Sequence, residues 1–139
     1  MEYKYLEHTA DVKFQAYGKS LEEAFGNAAL ALFNVMIDTK SIKNKTRKTI
    51  TVKGNDLKSL LYNFLEEFLF LLDTEGFMLG KISDVKIIKK KNTYELSAVA
   101  GGDEAKNYET KGDVKAVTYN EMEIKQEKNR ASVQVVLDV

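Results

Sequence analysis

The side chains with chemistry to offer stand at the two ends of the sequence. His8-Thr9-Ala10-Asp11 lies near the start, and Asp138 and Val139 are the last two residues. If folding brings these ends together, Asp11, Asp138 and the free carboxylate of Val139 form an all-oxygen cluster. Such a donor set suits a hard divalent cation, and calcium, magnesium or manganese could all fill it. Three negative charges gathered without a cation would repel. The competing reading is that both aspartates are ordinary strand-end residues in water, as most aspartates are. His8 is the only histidine. Hard cations prefer oxygen, so its expected part is to hydrogen-bond Asp11 or Thr9, or to be structural. A role as a base would need a nucleophile nearby, and the sequence shows none.

Composition limits the remaining chemistry. A chain of 139 residues is long enough for one domain with a continuous core and no staple. Basic and acidic residues number 21 each, which argues against a broad basic face laid along phosphates. The absence of Cys removes thiolate nucleophiles, cysteine zinc sites and disulfides, and fits a reducing cytoplasm. The most apolar run, Leu57 to Leu72, is interrupted by Lys58, Asn63, Glu66 and Glu67, so no membrane span is expected. Glu2, Lys4 and Glu7 do not make a signal peptide.

Two stretches have the helical period that could position such residues. Ser20-Leu-Glu-Glu23 reads as a capping box, and Leu21, Phe25, Ala28, Ala29, Leu32, Phe33 and Met36 trace one apolar stripe, which predicts a helix from Ser20 to Ile37. A second helix begins at Asp56, carries a wider stripe from Leu57 to Leu72, and stops at Gly76. So wide a stripe should be buried core rather than a cofactor pocket. Alternating runs predict strands at Val12 to Tyr17, Lys48 to Lys53, Val85 to Ile88, Thr93 to Val99, Val114 to Tyr119, Glu121 to Lys125 and Ser132 to Asp138. Lys89 to Asn92 and Glu127 to Arg130 read as hairpin connections, and Gly101-Gly102 as a connection between strands. The order predicts a single α+β domain over 1-139, with two helices packed on a mainly antiparallel mixed sheet. Period two turns Val12, Phe14 and Ala16 inward and Asp11, Lys13 and Gln15 outward; Val133, Val135 and Leu137 likewise send Asp138 outward.

Leu6-Glu-His-Thr-Ala-Asp-Val12, Ala16-Tyr-Gly18, Ser20-Leu-Glu-Glu-Ala-Phe25, the acidic pair Glu66-Glu67, Lys115-Ala-Val-Thr-Tyr119 and Val135-Val-Leu-Asp-Val139 stand in this order along the chain. Together they resemble the archease family, and the resemblance covers essentially the whole sequence. It implies a protein cofactor of the RtcB-family RNA ligase of tRNA splicing, not an enzyme. The family promotes guanylylation of the ligase's active-site histidine, supports multiple turnover and broadens nucleotide triphosphate use. It also implies a divalent metal, seen as calcium, held by Asp11, Asp138 and Val139, and a functional part for Lys115. An ammonium there could balance anionic ligands, contact a nucleotide phosphate or pair with a ligase carboxylate; the alternative is an edge-strand lysine that discourages aggregation. Glu67 reads either as a solvated helix residue or as part of a ligase-facing surface.

The chain departs from many relatives in three places. It has Gly102-Asp103 for Gly-Glu, no histidine between Asp103 and Asp113, and Asn120 after Tyr119. The basic stretches 43 to 48 and 89 to 91 read as solvated loops, and no glycine-rich phosphate loop is present. No independent nucleic-acid binding is expected, and the resemblance implies contact with GTP or tRNA through the ligase. Two other functions compete with ligase activation. A metal-dependent phosphoester hydrolase would use the same carboxylates to activate water. A general RNA-binding or chaperone module would need stacking motifs and a basic face that the sequence lacks.

Overall fold

The computed structural model describes residues 2-7 and 11-139. His8 and Thr9, expected in supporting roles, lie outside the described residues. The elements run β1 (Tyr3–Leu6), β2 (Asp11–Gly18), α1 (Leu21–Asn34), β3 (Thr46–Gly54), α2 (Leu57–Glu75), β4 (Phe77–Lys89), β5 (Tyr94–Glu104), β6 (Ala116–Glu127) and β7 (Arg130–Asp138). A single 3-10 turn at Thr39–Ser41 follows α1 and another at Ala105–Asn107 follows β5.

Helix α1 starts as its sequence predicts. The Ser20 side chain accepts from the Glu23 N–H at 3.2 Å. The reciprocal half of the capping box differs, because the Glu23 carboxylate takes the N–H of Lys19 at 3.3 Å, one residue earlier than expected. The helix ends at Asn34, short of Ile37. The Asn34 amide donates to the carbonyl of Leu30 and the hydroxyl of Thr39, and its oxygen takes the Thr39 N–H, which binds the helix end to the 3-10 turn. Helix α2 carries the complete box, Asp56 with Ser59, and stops at Gly76 in the left-handed region with φ of 64°.

The strands form two sheets, ordered β1-β2-β7-β6 and β3-β5-β4. Every described pairing is antiparallel. The α+β class stands, but two antiparallel sheets take the place of one mixed sheet. Helix α1 packs on β2 and β7 of one sheet and β4 of the other, while α2 packs on β6 and on β3, β4 and β5. Contact with both sheets explains why the helical stripes are so wide. Ala24, Ala28, Ala29 and Ala31 let α1 sit close, and Phe33, Phe64 and Phe68 fill the space between the helices with edge-to-face rings.

Several strand readings change, and β1 was not among the expected strands. Thr46 and Arg47 belong to β3, and Gly101-Gly102 lies inside β5 opposite them rather than between strands. A Cβ on Gly102 would sit 2.1 Å from the Met78 carbonyl oxygen, so the backbone approach there requires glycine. The runs at Val114 and Glu121 are one strand, β6, which begins at Ala116 and is broken by a register shift between Thr118 and Glu123. Strand β4 is thirteen residues long, and two register shifts along it disturb the alternation that would have revealed it.

Candidate functional site

The two ends of the chain meet. Strand β2 begins at Asp11, strand β7 ends at Asp138, and in their antiparallel register Asp11 lies directly opposite Asp138. The parity argument holds along both strands. Phe14, Ala16, Val133, Val135 and Leu137 are all at most 1 % exposed on the core side, which puts the aspartates on the other face of the sheet. Directly opposed positions bring Cβ atoms to about 4.5–5.5 Å, within reach of one shared cation.

The third strand fixes Asp138 from its other side. Ala116 of β6 pairs with it, and the Lys115 N–H donates to its carbonyl at 2.8 Å. Lys115 thus stands at the site through its backbone, with its side chain exposed. Val139, next along, is 38 % exposed. Asp11 also lines an open cavity of about 820 Å³ with Tyr5, Leu6, Val12, Val35 and Lys111. Glu67 is placed elsewhere, in a shallow depression with Val52, Asn63, Glu66 and Phe70 on the outer side of α2.

Behind the aspartates, the same sheet face carries a satisfied polar ladder. The Gln15 amide donates to the Gln134 oxygen at 2.9 Å, and the Gln134 amide donates to the Glu121 carbonyl at 2.8 Å and the Glu123 carboxylate at 2.9 Å. Tyr17 donates its hydroxyl to Gln15 at 2.8 Å. Lys13, two residues from Asp11 on this face, pairs with Glu121 at 3.1 Å. A fully bonded ladder of this kind holds strands in one register and so holds the acidic pair.

Among the described residues, no three His, Cys, Asp or Glu side chains gather as a metal site. Asp11 and Asp138 are the two hard oxygen donors that the register sets opposite each other. The donor chemistry fits a calcium-like ion, since carboxylates and carbonyl oxygens are its ligands.

Sequence reasoning overlooked two features. The Lys13–Glu121 pair was half legible, because Lys13 shares the parity of Asp11, but Glu121 reaches it through a left-handed residue (φ 53°) in the β6 bulge. Asp103 was noted only as a departure. It is 5 % exposed and accepts from the Tyr108 hydroxyl and the Glu104 N–H, each at 2.8 Å, while the Tyr108 oxygen takes the Lys43 N–H at 2.9 Å. The Tyr108 hydroxyl first, and then the Glu104 N–H, hold this carboxyl below the ordinary aspartate range.

Residues 3–139 match the model of the Archease protein family (MTH1598/TM1083). The chain is 43% identical over 140 residues to protein archease of Methanosarcina barkeri, covering 99% of this chain and 96% of that protein. It is 45% identical over 125 residues to protein archease of Pyrococcus furiosus, covering 88% of this chain and 87% of that one. The solution structure of Methanobacterium thermoautotrophicum protein 1598 superposes with a TM-score of 0.84 at 39% identity, over 99% of this chain and 98% of that one. The Thermotoga maritima archease crystal structure, described as a possible chaperone, shares the fold at a TM-score of 0.57 and 19% identity, over 98% of this chain and 96% of its own. Matched from Tyr3 to Val139, with Asp11 and Asp138 set opposite each other at its two ends, this chain belongs to the archease family.

Proposed function

We propose that this chain is a protein cofactor, not an enzyme, that activates an RtcB-family RNA ligase in the cytoplasm during tRNA splicing. It promotes guanylylation of the ligase's active-site histidine, supports multiple turnover and broadens nucleotide triphosphate use. Family membership supports this class of function, and the observation that carries the site is the direct opposition of Asp11 and Asp138. Two carboxylates at directly opposed positions of adjacent strands are the kind of oxygen donors a hard cation takes, which supports the metal reading.

In this reading Asp11 and Asp138 would provide two oxygen donors from adjacent strands, and the Val139 carboxylate a third. A calcium ion held there would supply positive charge for oxygen groups of the ligase or its nucleotide. The polar ladder keeps the donors in register, and Lys115, whose backbone N–H holds the Asp138 carbonyl, has an exposed side chain suited to a phosphate or carboxylate. Tightly held strands suit a part that must present a fixed acidic feature to another protein.

The test is a multiple-turnover ligation assay with a cognate ligase and RNA ends bearing a 3'-phosphate and a 5'-hydroxyl. The chain alone ligates nothing, the wild type raises ligase turnover, and Asp11→Ala or Asp138→Ala loses that stimulation while remaining folded by circular dichroism. Normal stimulation by both variants contradicts the reading. Phosphoester hydrolysis by the purified chain, abolished by a chelator, would favour a hydrolase instead.

A further inference from the structure

The outer face of the β3-β5-β4 sheet collects positive charge that the chain as a whole does not show. Ile50 of β3 and Leu96, Ala98 and Ala100 of β5 are buried in the core. Period two therefore turns Arg47, Thr49, Thr51 and Lys53 outward on β3, beside Gly101, Val99, Ser97 and Glu95 of β5. On β4 the two register shifts leave Lys81 opposite Gly101, Ser83 opposite Val99 and Lys86 opposite Ser97, so these three share the face. Arg47, Lys53, Lys81 and Lys86 are all exposed. They form two basic rows on the edge strands, about 10 Å apart across the small residues of β5.

Little on this face neutralises them. No ion pair joins Arg47, Lys81 or Lys86 to another described residue. Glu95 is paired with Lys90 and lies within electrostatic reach of Lys53. Asp103, at the far end of β5, is buried and bonded to the Tyr108 hydroxyl and the Glu104 N–H. Asp84 stands in the β4 bulge, outside the paired register. The outer face of the other sheet, by contrast, sets Lys13 against Glu121 and Lys125 against Glu123. Equal totals of acids and bases thus conceal a basic face, because strand register sorts the charges that composition only counts.

We propose that this face binds the sugar-phosphate backbone of RNA without reading its sequence. Phosphate oxygens take cations and hydroxyl donors, and Thr49, Thr51, Ser83 and Ser97 place hydroxyls between and along the basic rows. None of the residues that the register sets on this face is aromatic, so bases have nothing to stack on and the backbone is what is held. An acidic protein partner would call for a packed apolar anchor, whereas the large exposed apolar side chain here is Ile88 alone, beside Glu95 at the margin. The choice of RNA over another polyanion rests on the ligase reading above, and the surface lies on the sheet that does not carry Asp11 and Asp138. A weak grip on the substrate raises its local concentration at the complex.

The experiment is fluorescence anisotropy of a labelled single-stranded RNA titrated with the full chain, no ligase present. About three to four phosphate contacts, each adding about −0.7 to the slope of log K against log salt, weaken binding roughly twentyfold to fiftyfold between about 50 mM and about 200 mM potassium chloride. Arg47→Gln and Lys86→Gln each weaken low-salt binding about threefold and the double variant about tenfold, with a shallower salt slope and an unchanged circular dichroism spectrum. Arg130→Gln, which removes the same charge from the other sheet, leaves binding as it was. An equal loss in Arg130→Gln, or binding that salt does not weaken, overturns the face. Displacement of the RNA by polyglutamate at equal charge overturns the assignment to RNA in favour of an acidic protein. Wild-type protein that binds no RNA overturns the inference and leaves ligase activation standing, whereas lost ligase activation with RNA binding intact overturns the ligase reading alone.

Discussion

Like charges directly opposite each other destabilise an antiparallel pair, and the sign of the effect depends on what stands between them. Asp138→Asn should therefore raise the melting temperature of the chelator-treated protein slightly. In millimolar calcium the same substitution should lower it, because the ligand it removes is worth more than the repulsion it relieves. Thermal unfolding under the two conditions reads both signs. Asp103 gives a separate pH signature. Its folded carboxyl titrates below the ordinary aspartate range, so its contribution is fully present above the unfolded value near 4 and is lost as pH falls through the folded value. Tyr108→Phe removes the strongest of its donors, so wild type and variant should differ most at neutral pH and converge in acid. Urea midpoints measured from pH 7 down to pH 2 check this. At this scale the aspartate pair was legible because parity and chain ends are sequence properties, whereas the Asp103–Tyr108–Lys43 network depends on how a loop folds back and was not.

Helix limits were readable where a side chain or glycine makes the cap. Gly76 at φ 64° marks the end of α2, and Gly76→Ala should cost about 1 kcal/mol, because no Cβ clash but only the left-handed backbone opposes it. Gly102→Ala meets a different obstacle, the Met78 carbonyl, and should cost about 3 kcal/mol or more. Denaturant titration of the two variants separates backbone preference from collision. Strands were less legible than helices. Alternation exposed β2, and Val133, Val135 and Leu137 exposed β7 although Gln134 and Val136 between them are buried as well. Strand β4 starts with three consecutive buried residues, Phe77, Met78 and Leu79, and later passes through Asp84 at φ 52°, so its period is lost. The β6 bulge made one strand look like two, and that same irregularity places Glu121 against Lys13.

For the molecule as a whole, the helices bind the two sheets into one body, and the core between them supports the acidic pair from behind. Phe68 is fully buried and meets the rings of both Phe33 and Phe64, so Phe68→Ala should cost about 3–5 kcal/mol and reduce ligase stimulation only through loss of folded protein. Extension of the chain beyond Val139 should weaken calcium binding without changing the melting temperature in chelator, since it removes a carboxylate but touches no core. Two sheets rather than one could not be read from order alone, because the order of strands and helices does not say where a sheet divides. Among the described residues, no helix is long and apolar enough to cross a membrane, in keeping with charges spread along α2. In the proposed function the opposed aspartates are what a ligase uses. Transfer of labelled GMP from GTP to a cognate RtcB-family ligase, followed with catalytic amounts of this chain, tests it most directly. Wild type should accelerate labelling, and Asp138→Asn, at equal folded concentration, should not. Equal acceleration by the two proteins would contradict the claim.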